Sequence, residues 1–308
     1  MWKFIGVLGV VACSGLPAFA DARGWQYLMA KLVADGVDQG RVEAVFNDAR
    51  LEPFGGLEFS AERPRESRAL YRRFLRPAGV TAARQCRRRY AGAFEAAERT
   101  DGVSADVLAA ILSIESGCGR NTGSYVAFYR LARLAMANEP ANVQHNIARI
   151  AEWNGTVDPE VQARLRERAR SLEQTFYPEV RAMFVVAPRL GIEPLDLRGS
   201  GAGAFGAPQF LPTSYLAYGV DADGDGRVSL DDPGDAAASC ARYFAAHGWH
   251  PGLSYAERRA TVWQYNRSTA YVDTVLSLAA RIAQPVTPHH APVHHPKRHK
   301  VRMAARKL

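Results

Sequence analysis

The feature that most constrains this chain is a glycine-rich stretch between residues 199 and 215, which reads GSGAGAFGAPQFLPTSY. Glycine has no Cβ, so such a stretch can turn with positive φ and bring its backbone close to a ligand. Hydrogen-bonding side chains lie in the same stretch: Ser200, Gln209, Ser214 and Tyr215. The stretch therefore predicts one wall of a polar cleft. A glycine-rich connection without a ligand is the alternative that composition leaves open.

A carboxylate far upstream stands at the end of a predicted helix. The apolar residues of ADVLAAILSIES recur at helical spacing after a candidate N-cap, Ser104, and Gly117 ends the pattern. Glu115 lies at the C-terminal end of the apolar stripe, where desolvation and the negative end of the helix dipole both disfavour its charged form. Such a carboxyl group is suited to general acid catalysis near neutral pH, with a structural ion pair to Arg120 or another base as the alternative.

The residues that follow the glycine-rich stretch, 221–232, read DADGDGRVSLDD and have the ligand spacing of an EF-hand calcium loop. The predicted ligands are Asp221, Asp223, Asp225, the carbonyl of Arg227 and Asp232, with Ser229 at the ninth position. Glutamate is usual at the twelfth position, so the shorter Asp232 leaves the affinity and magnesium competition open. We expect calcium as a structural cofactor, with a solvated acidic turn as the alternative.

The positive charge of the chain is concentrated at its end. The 308 residues carry a formal charge of +8, and residues 285–308 contain lysine, arginine and histidine without an acidic residue. This low-complexity composition predicts a disordered basic tail. The rest of the chain is nearly balanced, so nucleic acid is not an expected partner.

Residues 1–20 have the pattern of a secretory signal peptide, with a lone Lys3, an apolar run and a small-x-small site ending at Ala20. The pattern predicts export to the periplasm. A looser lipoprotein signal with acylation at Cys13 is the alternative, and it would hold the protein on the periplasmic face of a membrane.

Three cysteines remain after cleavage: Cys86, Cys118 and Cys240. Their spacing predicts no zinc site, and we favour three small buried thiols, while one disulfide with a free thiol stays open.

Most of the remaining chain has helical periodicity, including a basic helix predicted around residues 86–99. A strongly charged segment around 150–175 is predicted as an exposed helix or insertion.

Five separated motifs then occur in one order: IESGCGR around Glu115, the glycine-rich run, the calcium-type loop, ARYFAAHGW and YNRS. With these motifs the chain resembles the lytic murein transglycosylase B family from about residue 25 to 282. The resemblance implies a lysozyme-like α+β fold, predominantly α-helical, with a catalytic domain over residues 21–284. It also implies cleavage of peptidoglycan glycan strands between N-acetylmuramic acid and N-acetylglucosamine during cell wall turnover, with cell-wall synthesis proteins as further candidate partners.

The same resemblance implies that Glu115 is the single catalytic acid/base. It further implies that Ser200, Gln209, Tyr265 and Asn266 line the saccharide site. Cys118 departs from the family, which usually has an aromatic residue at this position.

The residues themselves favour a mechanism with one carboxylate. Glycosidases that use water generally need two, but residues 197–220 contain no Asp or Glu. Glu115 alone can serve if the muramic 6-hydroxyl attacks and closes a 1,6-anhydro ring. A hydrolytic muramidase with Asp221 or Asp223 as the second carboxylate, and a catalytically silent peptidoglycan-binding protein, are the alternatives.

Overall fold

The computed structural model describes residues 22–62 and 66–285, without the side chains of residues 153 and 154. The predicted signal peptide at 1–20, including Cys13, and the basic tail beyond residue 285 lie outside the described residues. Within the described part, no helix has the length and apolar character needed to cross a membrane.

The described residues form mainly α-helices with one very small sheet. The helices are Gln26–Ala34 (α1), Gln39–Phe46 (α2), Arg68–Tyr71 (α3), Pro77–Arg89 (α4), Ala91–Asp101 (α5), Ala105–Ser116 (α6), Ala127–Ala135 (α7), Pro140–Asn154 (α8), Pro159–Leu190 (α9), Pro212–Tyr218 (α10), Pro233–Ala246 (α11), Tyr255–Tyr265 (α12) and Thr269–Ala283 (α13). Two short 3₁₀ helices, Arg72–Leu75 and Met136–Asn138, join neighbouring elements. The strands are Tyr125–Val126 (β1) and Arg198–Gly199 (β2). The predicted α+β fold with predominant helix is confirmed.

The basic segment around residues 86–99 forms two helices, so the prediction of one helix is wrong. Tyr90 leaves helical geometry at φ −115° and ψ 35°, between α4 and α5. The break lets α5 bury Phe94 and Ala97 in the same core as α6 and α11, whereas α4 packs beside α6. Tertiary packing thus overrides a locally continuous helical pattern.

The helix α6 is a rigid support because it is buried along nearly its whole length. Its residues Leu108 and Ile111 are fully enclosed in a core shared with α5, α11 and α13. Burial of each such side chain stabilises the fold by about 2 kcal/mol.

A second core joins α1, α2, α7 and α9. The charged segment begins in the last residues of α8 and continues into α9, a helix of 32 residues that buries Val180 and Met183 in this second core.

The small sheet holds the glycine-rich stretch against the chain that leaves α6. Strands β1 and β2 are antiparallel, with Tyr125 opposite Gly199. The backbones come so close that a Cβ placed on Gly123 would lie 2.1 Å from the carbonyl carbon of Gly199. The end of α6 and the start of the glycine-rich stretch are therefore fixed relative to each other.

Candidate active site

Glu115 lies in the last turn of α6, one residue before Ser116, the last residue of the helix. Gly117 follows as the C-cap in left-handed conformation with φ 60°. Burial raises the pKa of Glu115 to about 7, and the negative charge of Glu66 acts in the same direction. A hydrogen bond from Tyr271 lowers this pKa without offsetting burial. The side chain keeps some exposure and lines a surface cavity. Glu115 can therefore both release and accept a proton near neutral pH.

Tyr271 is the residue in direct contact with this carboxyl group. Its hydroxyl donates to Oε1 of Glu115 at 2.5 Å. It lies in the first turn of α13, where the hydroxyl of Ser268 caps the helix by accepting from the Tyr271 backbone N–H at 3.3 Å. Its ring lies nearly parallel to that of Tyr265, with centroids 6.3 Å apart. Sequence reasoning missed Tyr271, because it followed the YNRS motif only as far as the capping serine.

A second acid, Glu66, approaches the site from the segment before α3. Its Oε2 accepts a hydrogen bond from the hydroxyl of Tyr71 at 2.5 Å. The Tyr71 ring packs edge-on against Tyr271 with centroids 5.8 Å apart, and its hydroxyl also interacts with the side chain of Asn266. Sequence reasoning missed Glu66 and Tyr71 too, since no local pattern relates them to residues 200 positions later.

The predicted saccharide residues Tyr265 and Asn266 lie beside this group. Tyr265 ends α12, stacks on Phe244 with centroids 5.3 Å apart, and donates its hydroxyl proton to the carbonyl of Pro208. Asn266 is the C-cap of α12, and its backbone N–H donates a hydrogen bond to Val262 O at 3.2 Å. Both residues are therefore linked to Glu115 indirectly, Tyr265 through the ring of Tyr271 and Asn266 through Tyr71.

The other two predicted saccharide residues, Ser200 and Gln209, stabilise the glycine-rich stretch. Gln209 has a positive φ of 54°, and its amide nitrogen donates to Thr122 O at 3.0 Å and to Gly206 O at 2.9 Å. The hydroxyl of Ser200 accepts from the Ala204 N–H at 3.2 Å. These bonds tie the stretch to the loop that follows α6.

A cavity of about 460 Å³ opens on the α4 side of Glu115. Its lining comes from the Arg72–Leu75 helix, α4, the end of α6 and the following loop: Arg73, Phe74, Ala78, Gly79, Ala82, Ala83, Ser113, Ile114, Glu115, Ser116, Gly117, Cys118, Arg120 and Asn121. None of the four predicted saccharide residues lines it. Arg120 makes no described ion pair with Glu115, so the predicted alternative of a structural ion pair receives no support.

Two of the predicted ligands in the calcium-type loop, Asp221 and Asp223, lie close to a third carboxylate that the sequence analysis did not predict, Asp235. Oxygens of Asp221, Asp223 and Asp235 lie within 4.8 Å of one another. The side chain of Asp232 instead caps α11, accepting from Gly234 N at 2.7 Å and Asp235 N at 3.1 Å. Asp235 lies three residues beyond the last position of the EF-hand pattern, so the spacing could not indicate it.

Two further predicted ligands contribute to the turn. Asp225 accepts a hydrogen bond from the N–H of Arg227 at 2.8 Å.

The loop contacts the glycine-rich stretch where the Ala207 N–H donates to Leu230 O at 2.8 Å, and a Cβ on Gly206 would lie 2.2 Å from the Leu230 Cβ. A hard cation fits three clustered carboxylates, because it prefers oxygen donors.

The three cysteines in the described residues form one disulfide and one free thiol. Cys86 of α4 is bonded to Cys118 in the loop after α6, with Cα atoms 6.0 Å apart, and Cys240 is a buried free thiol. The favoured prediction of three buried thiols is therefore wrong, and the open alternative is correct. The bond attaches α4 to the residues directly after Glu115.

Comparison with known sequences shows which protein family and which relative this chain is similar to. A family model described as the transglycosylase SLT domain matches residues 20–260. Membrane-bound lytic murein transglycosylase B of Escherichia coli strain K12 is 32% identical over 181 residues, which is 59% of this chain and 42% of that protein. The matched segment thus spans less than half of this relative.

Solved structures share most of this fold. The soluble lytic transglycosylase SltB1 of Pseudomonas aeruginosa has a TM-score of 0.61 at 24% identity, covering 83% of this chain and 97% of that one. The Escherichia coli lytic transglycosylase Slt35 in complex with calcium has a TM-score of 0.60 at 23% identity, covering 86% and 94%. The family match and the shared fold agree with the resemblance found in the sequence motifs, and the chain belongs to the transglycosylase SLT domain family.

Proposed function

We propose that this protein is a lytic transglycosylase that cleaves the glycan strands of peptidoglycan during cell wall turnover. The observation that carries the proposal is the environment of Glu115, a partly enclosed carboxyl group with a pKa of about 7 and a tyrosine hydroxyl bonded to it. Family membership and the name of the curated relative agree with this activity. The catalytic domain extends over residues 21–284.

In the first step, protonated Glu115 donates its proton to the glycosidic oxygen between N-acetylmuramic acid and N-acetylglucosamine. The C1–O bond breaks, and positive charge develops on the muramic ring. The departing sugar leaves with the proton as a hydroxyl group. The carboxylate that remains on Glu115 is stabilised by the hydroxyl of Tyr271, so the hydrogen bond strengthens as the reaction proceeds.

In the second step, the Glu115 carboxylate accepts the proton of the muramic 6-hydroxyl while O6 bonds to C1. This closes the 1,6-anhydro ring and returns Glu115 to its acid form, so no water is consumed. Intramolecular attack supplies the proximity that a bound water would need. Ser200, Gln209, Tyr265 and Asn266 orient the sugars in this proposal.

The hydrolytic alternative needs a second carboxylate positioned for water or for nucleophilic attack. Asp221 and Asp223 are poor candidates, since they cluster with Asp235 in the acidic loop. Glu66 influences Glu115 by charge, but its side chain is exposed and accepts a hydrogen bond from the hydroxyl of Tyr71. A silent binding protein would have no need for a carboxyl group with a raised pKa.

The acidic loop would hold calcium through Asp221 and Asp223, with Asp235 completing the carboxylate set. The ion would hold the loop and, through Leu230, the glycine-rich stretch; it has no part in the chemistry. The solved complex of Slt35 with calcium supports calcium as the cofactor. The protein would act in the periplasm, where its substrate lies, either free or anchored through Cys13.

Glu115→Gln tests the proposal, because it keeps the side-chain shape and removes the proton. Wild type should release soluble fragments from purified peptidoglycan, and the variant should bind the same material without releasing any. Asp106→Asn, in the first turn of the same helix, is the matched control. Undiminished release by Glu115→Gln would overturn the assignment.

A further inference from the structure

We propose that a groove between α4 and the end of α13 binds the headgroup of an anionic phospholipid, and that this contact holds the folded domain against a bilayer surface. The groove, of about 530 Å³, lies in the size range of ligand sites. Its lining is Leu75, Pro77, Val80, Thr81, Arg84, Arg281 and Gln284. Neither glycan cleavage nor acylation of Cys13 is needed for this contact.

Two guanidinium groups supply positive charge in the groove. Arg84 of α4 and Arg281 of α13 both line it, and neither forms an ion pair with an acid of the described residues. Nη1 of Arg84 and both Nε and Nη2 of Arg281 make no hydrogen bond within this part of the chain. A guanidinium presents paired donors that match phosphate oxygens, so these N–H groups are available for a phosphodiester.

Backbone carbonyls hold both guanidinium groups in place. Nη2 of Arg84 donates to Arg281 O at 2.6 Å and to Gln284 O at 2.9 Å. Nη1 of Arg281 donates to the carbonyl of Leu75. The bonds from Arg84 also cover carbonyls at the end of α13, whose partial negative charge would otherwise repel an anion. Side chains that are already oriented lose less conformational entropy when a ligand binds.

The other side of the groove is apolar. Leu75 and Val80 are half-buried there, and Pro77 is exposed. Pro77 is also the first residue of α4, so the positive end of this helix dipole lies at the groove. A phospholipid joins a phosphate to a glycerol and acyl part, which match the charged and the apolar side. Inorganic phosphate would match only the charged side.

The surroundings extend the positive charge of the groove. Residues 67–94 contain eight arginines and no acid. At Gln284 the chain leads from the groove into residues 285–308, which contain lysine, arginine and histidine without an acid. The acids that line the adjoining groove, Glu95 and Asp106, are both paired with Arg87. Basic residues near an anionic bilayer each add to its attraction, so a lipid surface suits this whole face of the protein.

The helix α4 separates the groove from the cavity beside Glu115. Val80 and Arg84 line the groove, whereas Ala78 and Ala82 line the cavity, and the two sites have no lining residue in common. A bilayer bound at the groove would therefore leave Glu115 open to a glycan strand. If the proposed function holds, the protein would cleave glycan next to a membrane.

The first test is sedimentation of the mature protein, residues 21–308, with vesicles of phosphatidylcholine that contain or lack phosphatidylglycerol. Wild type should bind only the vesicles with the anionic lipid. Arg281→Gln should weaken this binding by about fivefold, the usual effect of one basic residue at such a surface. Arg99→Gln removes an exposed arginine of α5 and should leave binding almost unchanged. Equal losses in the two variants would show that only net charge matters, which would overturn the groove.

A charge placed inside the groove gives a second test. Thr81 is exposed and lines the groove. Thr81→Glu should bind anionic vesicles about fivefold more weakly than Thr81→Gln, which fills similar space without the charge. Thr100→Glu, at an exposed threonine of α5, changes the net charge equally and should bind like wild type. If Thr81→Glu binds as well as Thr81→Gln, the basic tail alone holds the vesicles and the proposal fails.

Soluble ligands distinguish a lipid from a free anion. Dihexanoylphosphatidylglycerol should bind about tenfold more tightly than glycerol phosphate or inorganic phosphate, because only the lipid covers the apolar side of the groove. Equal affinity for the three ligands would contradict a lipid site. None of these measurements uses glycan, so they decide the role of the groove even if the protein does not cleave peptidoglycan.

Discussion

Tyr271 donates a hydrogen bond to Glu115 at 2.5 Å and so joins the first turn of α13 to the last turn of α6, across 156 residues of sequence. The bond favours the carboxylate, whereas burial and Glu66 favour the acid form. Burial is the largest effect, which raises the pKa of Glu115 to about 7. Burial and two neighbours from distant segments, Tyr271 and Glu66, therefore set the proton affinity of Glu115.

Tyr271→Phe removes the bond that lowers the pKa of Glu115, so this pKa should rise above its present value. The pH profile of kcat/KM should shift upward, and the maximal rate should fall by about tenfold because the nascent carboxylate loses a donor. Tyr255→Phe, an exposed tyrosine at the start of α12, is the control. A downward shift of the profile would contradict this assignment.

Glu66→Gln removes the negative charge that raises the pKa of Glu115. The pKa should fall and the pH profile should shift downward, with less than a tenfold change in the maximal rate. Glu62→Gln, in the same segment, is the control. A loss of a thousandfold or more would mean that Glu66 is a second catalytic carboxylate, and it would favour the hydrolase.

The raised pKa of Glu115 also makes stability depend on pH. The unfolded state loses this proton near pH 4.5 and the folded state near pH 7, so the stabilising contribution is complete below 4.5 and disappears as pH rises through about 7. The difference in unfolding free energy between wild type and Glu115→Gln should change by about 3 kcal/mol over this range, at 1.36 kcal/mol per pKa unit. Denaturant titrations at pH 4 and pH 8 measure it, and a constant difference would show that Glu115 has an ordinary pKa.

The disulfide between Cys86 and Cys118 should stabilise both the fold and the cleft. It closes a loop with a sequence separation of 32, for which chain entropy gives about 3–4 kcal/mol. The double variant Cys86→Ser with Cys118→Ser should unfold at lower denaturant and bind glycan less tightly, since Cys118 follows Glu115 closely. A dithiol reductant should likewise lower the denaturant concentration at which wild type unfolds. The Cys240→Ala variant should respond to the reductant as wild type does. Resistance of wild type to the dithiol would contradict the disulfide.

Calcium should raise the melting temperature, and chelation should lower it. Asp235→Asn should weaken calcium affinity more than Asp232→Asn does, because Asp235 clusters with Asp221 and Asp223 and also holds the loop by accepting from the N–H groups of Ala222 and Ser229, whereas Asp232 caps α11. Isothermal titration of both variants measures the two affinities. The reverse order would restore the ligand set that the EF-hand spacing predicts.

Features that depend on a local residue pattern, such as a helix and its end, could be predicted from the sequence. The helix that carries Glu115 is confirmed almost to the residue, because a regular apolar stripe and Gly117 define it. The surroundings of Glu115 come from distant segments that no local rule relates to it. Tyr271 lies in an apolar helix, where a tyrosine is an ordinary core residue. Glu66 and Tyr71 belong to a segment without a recognisable sequence motif.

Other differences also have nonlocal causes. The pairing of Cys86 with Cys118 depends on how α4 packs beside α6. Asp235 enters the acidic cluster because α11 begins directly after the loop, and the same geometry turns Asp232 into a helix cap. Spacing rules describe a motif in isolation, whereas neighbouring elements decide which carboxylates meet.

The central claim is that Glu115 acts alone and that the muramic 6-hydroxyl replaces water. The most direct test is mass spectrometry of the muropeptides that wild type releases from purified peptidoglycan, with and without borohydride treatment. The account predicts products that are lighter by one water than the hydrolytic fragments and that resist reduction. Reducible products with the mass of added water would contradict it.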